Sequence, residues 1–198
     1  MSPRPLRIGL DFDDTLMQTR HALVRLLNAR FGTAVSFADC RDYRLSPWSL
    51  TDEQFHTFFT ENESAIHTQP PLDDLLQILQ SWSSQATFYV ITGRPECWMP
   101  SATAWLAKHH IPCEAVISSP SVGGKGVAAQ NCKLDFFIED HAKFALEIAS
   151  VGIPVLLLDS PYNQSCTHPL VHRVKDWPEI RQYVASRWLA PGACSSNN

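Results

Sequence analysis

Apolar and polar positions along this chain change period several times, and the changes mark its elements. Leu6 to Leu10 is a short apolar run that predicts a first strand. Behind Thr19, which suits a helix cap, Ala22, Leu23, Leu26, Leu27 and Phe31 recur at helical spacing, and Gly32 closes the stretch. Residues 33–50 have no clean period and read as loop. Thr51-Asp52-Glu53-Gln54 is a capping box opening an aromatic helix with Phe55, Phe58 and Phe59. Pro70-Pro71 breaks the chain, and Leu72, Leu75, Leu76 and Leu79 predict another amphipathic helix.

After that, short β-rich runs alternate with helical stretches. Strands are predicted at Ala86–Ile91, Ala115–Ile117, Asp135–Ile138, Ile153–Leu158 and Val171–Val174. Ile153–Leu158 is almost continuously apolar, as a strand covered on both faces should be. Helices are expected from Pro95 to Lys108, weakly after Gly123-Gly124-Lys125-Gly126, from His141 to Ser150, and from Trp177 to Trp188. This alternation implies an α/β fold with a doubly wound parallel sheet. The helical stretch of residues 17–81 interrupts it straight after the first strand and is expected to form a small inserted cap. The core would then comprise residues 1–16 and 82–190, with 191–198 a disordered tail.

The most informative placement is Asp11-Phe12-Asp13-Asp14-Thr15, directly after the first strand. Open α/β sheets hold their ligands at the carboxyl ends of strands. Two acids there are costly unless a proton or cation lies between them, and a hard divalent metal suits such oxygens. Phe12, between them, should point into the core by strand alternation. The plain alternative is an acidic turn after an edge strand.

Bulk composition narrows the function classes. The chain has 198 residues, 44% of them hydrophobic and 18% charged, enough for one α/β domain with an insertion. A formal net charge of −4 with no Lys/Arg block argues against a partner such as duplex nucleic acid or a membrane surface. No apolar stretch approaches the ~20 residues that span a bilayer. Six cysteines form no C-x-x-C pair, and Met1 to Arg7 does not read as a signal peptide, so reduced thiols and a cytoplasmic location are expected.

Four features line up at strand ends or the helix starts after them: Asp11-x-Asp13-x-Thr15, Thr92-Gly93-Arg94, Lys125 and Glu139-Asp140. Together they resemble the haloacid dehalogenase-like phosphohydrolase superfamily. Ile91–Glu96, Thr103-x-Trp105-Leu106, Phe137–His141 and Gly152–Asp159 through Pro161-Tyr162-Asn163 resemble its cytosolic-type 5′-nucleotidase (5′(3′)-deoxyribonucleotidase) branch and bacterial and phage relatives. The resemblance covers about residues 6–16 and 82–163.

It implies Asp11 as nucleophile and Mg²⁺ ligand, and Asp13 as acid, then base, with its backbone carbonyl on the metal. Crowding by Asp11 and Asp14 is expected to raise the Asp13 pKa. Thr92, Gly93 and Lys125 would neutralise the transferring phosphoryl group, with Lys133 the rival to Lys125. Arg94 is assigned to phosphate over an alternative pairing with Glu96. Glu139 and Asp140 complete the metal site, with Asp140 favoured for direct contact. His141 reads as a helix-start surface residue. The phenylalanines of the insert read as its own core, and Tyr43 and Trp48 in the loop as substrate contacts. The resemblance thus implies a Mg²⁺-dependent phosphomonoesterase for a small phosphorylated substrate, a nucleoside monophosphate. The competitors are a phosphatase for a sugar phosphate or a nucleic-acid 3′-phosphate, and a non-catalytic binding protein on the same scaffold. Oligomeric state is unreadable, and a homodimer stays open.

Overall fold

The computed structural model describes residues 4–43 and 45–188. The tail expected to be disordered lies outside the described residues. Six parallel strands form one sheet in the order β3-β2-β1-β4-β5-β6. They are β1 (Leu6–Leu10), β2 (Ala86–Thr92), β3 (Ala115–Ser118), β4 (Phe136–Glu139), β5 (Val155–Leu158) and β6 (Val171–Val174). The helices are α1 (Thr19–Phe31), α2 (Asp52–Ile66), α3 (Leu75–Trp82), α4 (Met99–Lys108), α5 (Lys125–Asn131), α6 (Ala142–Ser150) and α7 (Trp177–Arg187). No helix among the described residues is long and apolar enough to cross a membrane. Cys40, Cys97, Cys113, Cys132 and Cys166 are free thiols.

Strand alternation divides the core into two layers. Ile8, Leu10, Phe88, Val90, Phe136, Ile138, Leu156 and Leu158 face one side, with α3, α4 and α7 residues such as Leu79, Trp105 and Ile180. Tyr89, Ile91, Phe137, Val155 and Leu157 face the other, packed on Ala128 and Ala129 of α5 and Ala145 and Ile148 of α6. Apolar residues of α1 and α2, including Leu23, Leu27, Phe58 and Phe59, belong to the first layer, so the insert's packing is continuous with that of the sheet.

Local signals fix several helix ends. Thr51 accepts from the backbone N–H of Gln54, whose side chain accepts from the Thr51 N–H, so the capping box is complete. Gly32 adopts φ 63° and closes α1. Two starts differ from expectation. α3 begins at Leu75 rather than Leu72, because Asp74 is left-handed (φ 62°) and the Leu72 N–H bonds to Leu16 O instead. Pro95 is extended before a 3₁₀ turn at Glu96–Trp98, and Pro100 supplies the proline in the first turn of α4.

Candidate active site

β1 and β4 are neighbours, with Leu10 opposite Ile138, so Asp11, just past β1, and Glu139, the last residue of β4, lie side by side at the strand ends. The Asp11 N–H donates to Ile138 O (3.0 Å). The chain then turns sharply: Asp14 is left-handed at φ 55°, and the Leu16 and Met17 N–H groups both return to Phe12 O. This turn buries Phe12 and leaves the acids on the rim.

Asp11, Glu139 and Asp140 bring one carboxylate oxygen each to within 4.8 Å of one another, all buried. Lys125 lies among them, with Nζ 2.6 Å from Asp11 Oδ1 and 2.7 Å from Glu139 Oε2. The glycines before it explain how a lysine arrives there. Gly124 has φ 114°, and a Cβ on it would collide with the Glu147 carboxylate, which caps the Gly126 N–H at 2.8 Å. Lys133, the alternative, has no contact with these acids among the described hydrogen bonds and salt bridges.

The remaining acids of the motif have their own cations. Arg94 grips Asp13 with two parallel bonds, Nε to Oδ2 (2.8 Å) and Nη2 to Oδ1 (2.6 Å), and the Thr19 hydroxyl donates to Oδ1 (2.6 Å). Asp14 accepts from the Arg20 N–H (2.7 Å) and lies 3.5 Å from Arg20 Nε. Glu139 has both oxygens occupied, Oε2 by Lys125 and Oε1 by the N–H groups of Asp140 and His141. Asp140 holds Oδ2 against the Tyr162 hydroxyl (2.6 Å), whereas its Oδ1 has only Thr15 at 3.4 Å.

Electrostatics follow from this partnering. Burial pushes the Asp13 carboxyl up, but the Arg94 guanidinium outweighs it, so Asp13 lies below the usual carboxylate range. This reverses the expectation of a raised Asp13: crowding was visible in the sequence, its arginine partner was not. Burial raises Asp14 to about 6 despite Arg20. Burial and Asp11 raise Glu139 to about 8, against the pull of Lys125. Burial, then Glu139, Asp11 and Asp14, raise Asp140 well above its ordinary value. Burial favours loss of the Lys125 proton, yet Asp11 and Glu139 hold it and raise the amine. With Asp13 and Asp14 paired to arginines, three carboxylates face one ammonium. When all three are ionised, the form a cation would select over the protons that burial favours, they exceed Lys125 by two negative charges, and their hard oxygen donors fit one divalent cation.

Beside these acids lies a cavity of about 480 Å³. Asp11, Asp13, Gly93 and Arg94 are among its polar lining, and Leu23, Leu45, Phe55, Phe59 and Trp98 are its apolar lining. Trp98 stacks on Phe59 with ring centroids 4.1 Å apart. Tyr43 also lines it, with its ring 3.9 Å from that of His141 and under Arg20 at 4.8 Å. Thr92 is buried at the end of β2 and accepts from the Arg94 N–H.

Three placements correct the sequence expectations. Trp48 does not line the cavity; its indole is buried and donates to Thr33 Oγ1 (2.9 Å). Arg94 pairs with neither Glu96 nor open space but with Asp13. The aromatic wall comes from Phe55, Phe59 and Trp98, of which the first two were read as core only. Sequence reasoning missed Arg20, His67 and Trp98, which carry no local signal, and gave no role to Tyr162, whose Pro-Tyr-Asn turn it had noted. Asn163 anchors that turn by donating to both Asp140 O and Leu158 O (2.7 Å each).

Comparisons with known proteins identify the fold and the family. The family described as 5′ nucleotidase, deoxy (pyrimidine), cytosolic type C protein matches residues 4–189. YqfW of Bacillus subtilis, provisionally named a nucleotidase, is 32% identical over 184 residues, covering 90% of this chain and 93% of its own. A haloacid dehalogenase family hydrolase from Deinococcus radiodurans, solved with bound phosphate and sodium, superposes with a TM-score of 0.67 at 13% identity over 96% of this chain and 99% of that one. YfnB of Bacillus subtilis, a provisionally assigned hydrolase of the same kind solved with magnesium, gives 0.62 at 12% identity over 92% and 99%. At such identities the structures establish the fold alone, and the sequence match establishes the rest: this chain belongs to the cytosolic type C 5′-nucleotidase family and is a phosphoric monoester hydrolase of haloacid dehalogenase-like fold.

Proposed function

We propose that the chain is a Mg²⁺-dependent phosphomonoesterase for nucleoside monophosphates, working through an aspartyl phosphate on Asp11. The observation that carries this reading is the buried group Asp11, Glu139 and Asp140 with Lys125 as its one ammonium, short of two positive charges. Asp11, the Asp13 backbone carbonyl and Asp140 would hold the ion, with Glu139 behind them. Bound there, Mg²⁺ supplies charge withdrawal from the phosphoryl oxygens. In this reading residues 17–81 are the cap and 1–16 with 82–190 the catalytic core.

An Asp11 oxygen attacks phosphorus and the bond to the substrate alcohol breaks. Asp13, which takes up a proton from solvent once the substrate phosphate draws Arg94 away from it, delivers that proton to the departing alcohol. Asp13 then removes a proton from water, the hydroxide attacks phosphorus, and the O–P bond of the Asp11 acyl phosphate breaks to give free phosphate and carboxylate. Thr92 Oγ1, the Gly93 N–H and Lys125 Nζ stabilise the equatorial oxygens. Arg94 keeps Asp13 ionised in the free protein, the form needed for the second half. A substrate phosphate competing for that guanidinium would loosen it for the first. The aromatic lining of the cavity, Phe55, Phe59, Trp98 and Tyr43, supports a nucleobase as leaving-group body.

The test is a panel of nucleoside monophosphates, sugar phosphates and 3′-phosphorylated oligonucleotides, assayed with Mg²⁺ and with chelator, beside Asp11→Asn. Metal-dependent release of phosphate from nucleotides, abolished in the variant, is expected. Preference for sugar or 3′-terminal phosphates would replace the substrate assignment, and absence of metal-dependent turnover on every ester would overturn the catalytic one.

A further inference from the structure

Arg94 is rooted in the core but held from the insert. Its N–H bonds to Thr92 Oγ1 (3.2 Å) and its carbonyl accepts from Ser118 Oγ (2.7 Å), which fixes the backbone at the end of β2. The side chain is 2% exposed, and each guanidinium nitrogen has an assignment. Nε and Nη2 serve Asp13, and Nη1 lies 2.7 Å from His67 Nε2. The guanidinium carbon lies 4.5 Å from the centre of the Phe12 ring and 5.0 Å from that of Phe59 of α2.

The His67 tautomer follows from its neighbours. A guanidinium only donates, so Nε2 accepts and the proton sits on Nδ1, which donates to Glu63 O at 2.7 Å. His67 is also the residue that ends α2, its N–H bonded to the same Glu63 carbonyl (3.0 Å). The imidazole is therefore locked to the last turn of that helix and offers Arg94 a single lone pair. Without it, Nη1 would lose the acceptor that fixes the rotation of the guanidinium about Asp13.

We propose that His67 is a positioning residue that acts through Arg94 to hold the Asp13 carboxylate in place, so that seating of α2 and readiness of the acid–base group are one event. This rests on the reading of Asp13 as that group, given above. Phe59 and His67 both belong to the α2 segment and both contact the same guanidinium. Movement of α2 away from the sheet would release two of its supports together.

Two double-mutant cycles test it. In turnover of a nucleoside monophosphate, His67→Leu should lower kcat about tenfold with little change in KM, and His67→Gln, which restores an acceptor, should recover most of the loss. In an Arg94→Met background, His67→Leu should change kcat less than about twofold. Equal losses in both backgrounds would overturn the proposal. The second cycle combines His67→Leu with Asp13→Asn in urea unfolding and needs no activity: the midpoint shifts should be non-additive, and strict additivity would overturn the link. An inactive wild type with non-additive unfolding would sink the proposed reaction while leaving the His67–Arg94–Asp13 connection standing.

Discussion

Lys125 and Glu139 form an ion pair in which neither side chain reaches solvent, with 2.7 Å between Nζ and Oε2 and both 0% exposed. Such a pair brings little net stability when complete but is costly to break. Lys125→Met should therefore leave Asp11 and Glu139 facing each other uncompensated. It should lower unfolding stability by about 3–5 kcal/mol near neutral pH, measured by urea titration. Mg²⁺ should recover part of that loss, because a cation replaces the missing charge; a variant as stable as wild type without metal would contradict the arrangement.

Stability of the metal-free protein should depend on pH in a predictable direction. Glu139 is raised to about 8 by burial and Asp11. An acid with a higher pKa folded than unfolded contributes stability that is complete below its ordinary value near 4.5 and is lost as pH rises towards 8. His141, lowered to about 4 by burial and Lys125, works the other way: its contribution is complete above 6.5 and is lost as pH falls towards 4. Between pH 6.5 and 8 the carboxylates set the slope. Thermal melting in chelator should fall across that window, and saturating Mg²⁺ should flatten it. A chelator profile with no decline there counts against the buried acids as drawn.

Tyr162→Phe removes the hydroxyl that fixes Asp140 Oδ2 while keeping the ring under Arg20 at 4.1 Å. Groups that orient metal ligands typically affect affinity by 10–100-fold. The Mg²⁺ concentration giving half-maximal activity should rise about tenfold with the melting temperature nearly unchanged. An unaltered Mg²⁺ requirement would mean that Asp140 needs no such support.

Trp98→Ala should act on substrate binding. Stacking of a base on an aromatic side chain is worth ~1–3 kcal/mol, so KM for a nucleoside monophosphate should rise about tenfold while kcat moves little. KM for a small sugar phosphate should change much less. Equal effects on both substrates would place the base elsewhere.

What the sequence disclosed follows physical range. The Asp11 motif after an apolar run, the Thr51–Gln54 box, Gly32 and the Glu139-Asp140 pair were readable because strand period, capping and turn chemistry are local. The role of Arg94 was not, because its partner Asp13 lies 81 positions away and the nearer Glu96 was the visible candidate. Thr19 illustrates the same limit: it was read as a cap, yet Gln18 precedes the helix and the Thr19 hydroxyl serves Asp13. Trp48 sits in loop sequence and invited a contact role, but its indole N–H found Thr33 and the ring was buried. Side-chain partners across the sheet rim are set by topology, which periodicity predicts only in outline.

The pairing of Leu10 with Ile138 has a genetic corollary. Because strand side chains alternate, one residue inserted into or deleted from β4 would send Glu139 to the opposite face and carry Asp140 out of reach. The spacing within the two middle strands is thus closed to single-residue indels, whatever ester the protein comes to accept.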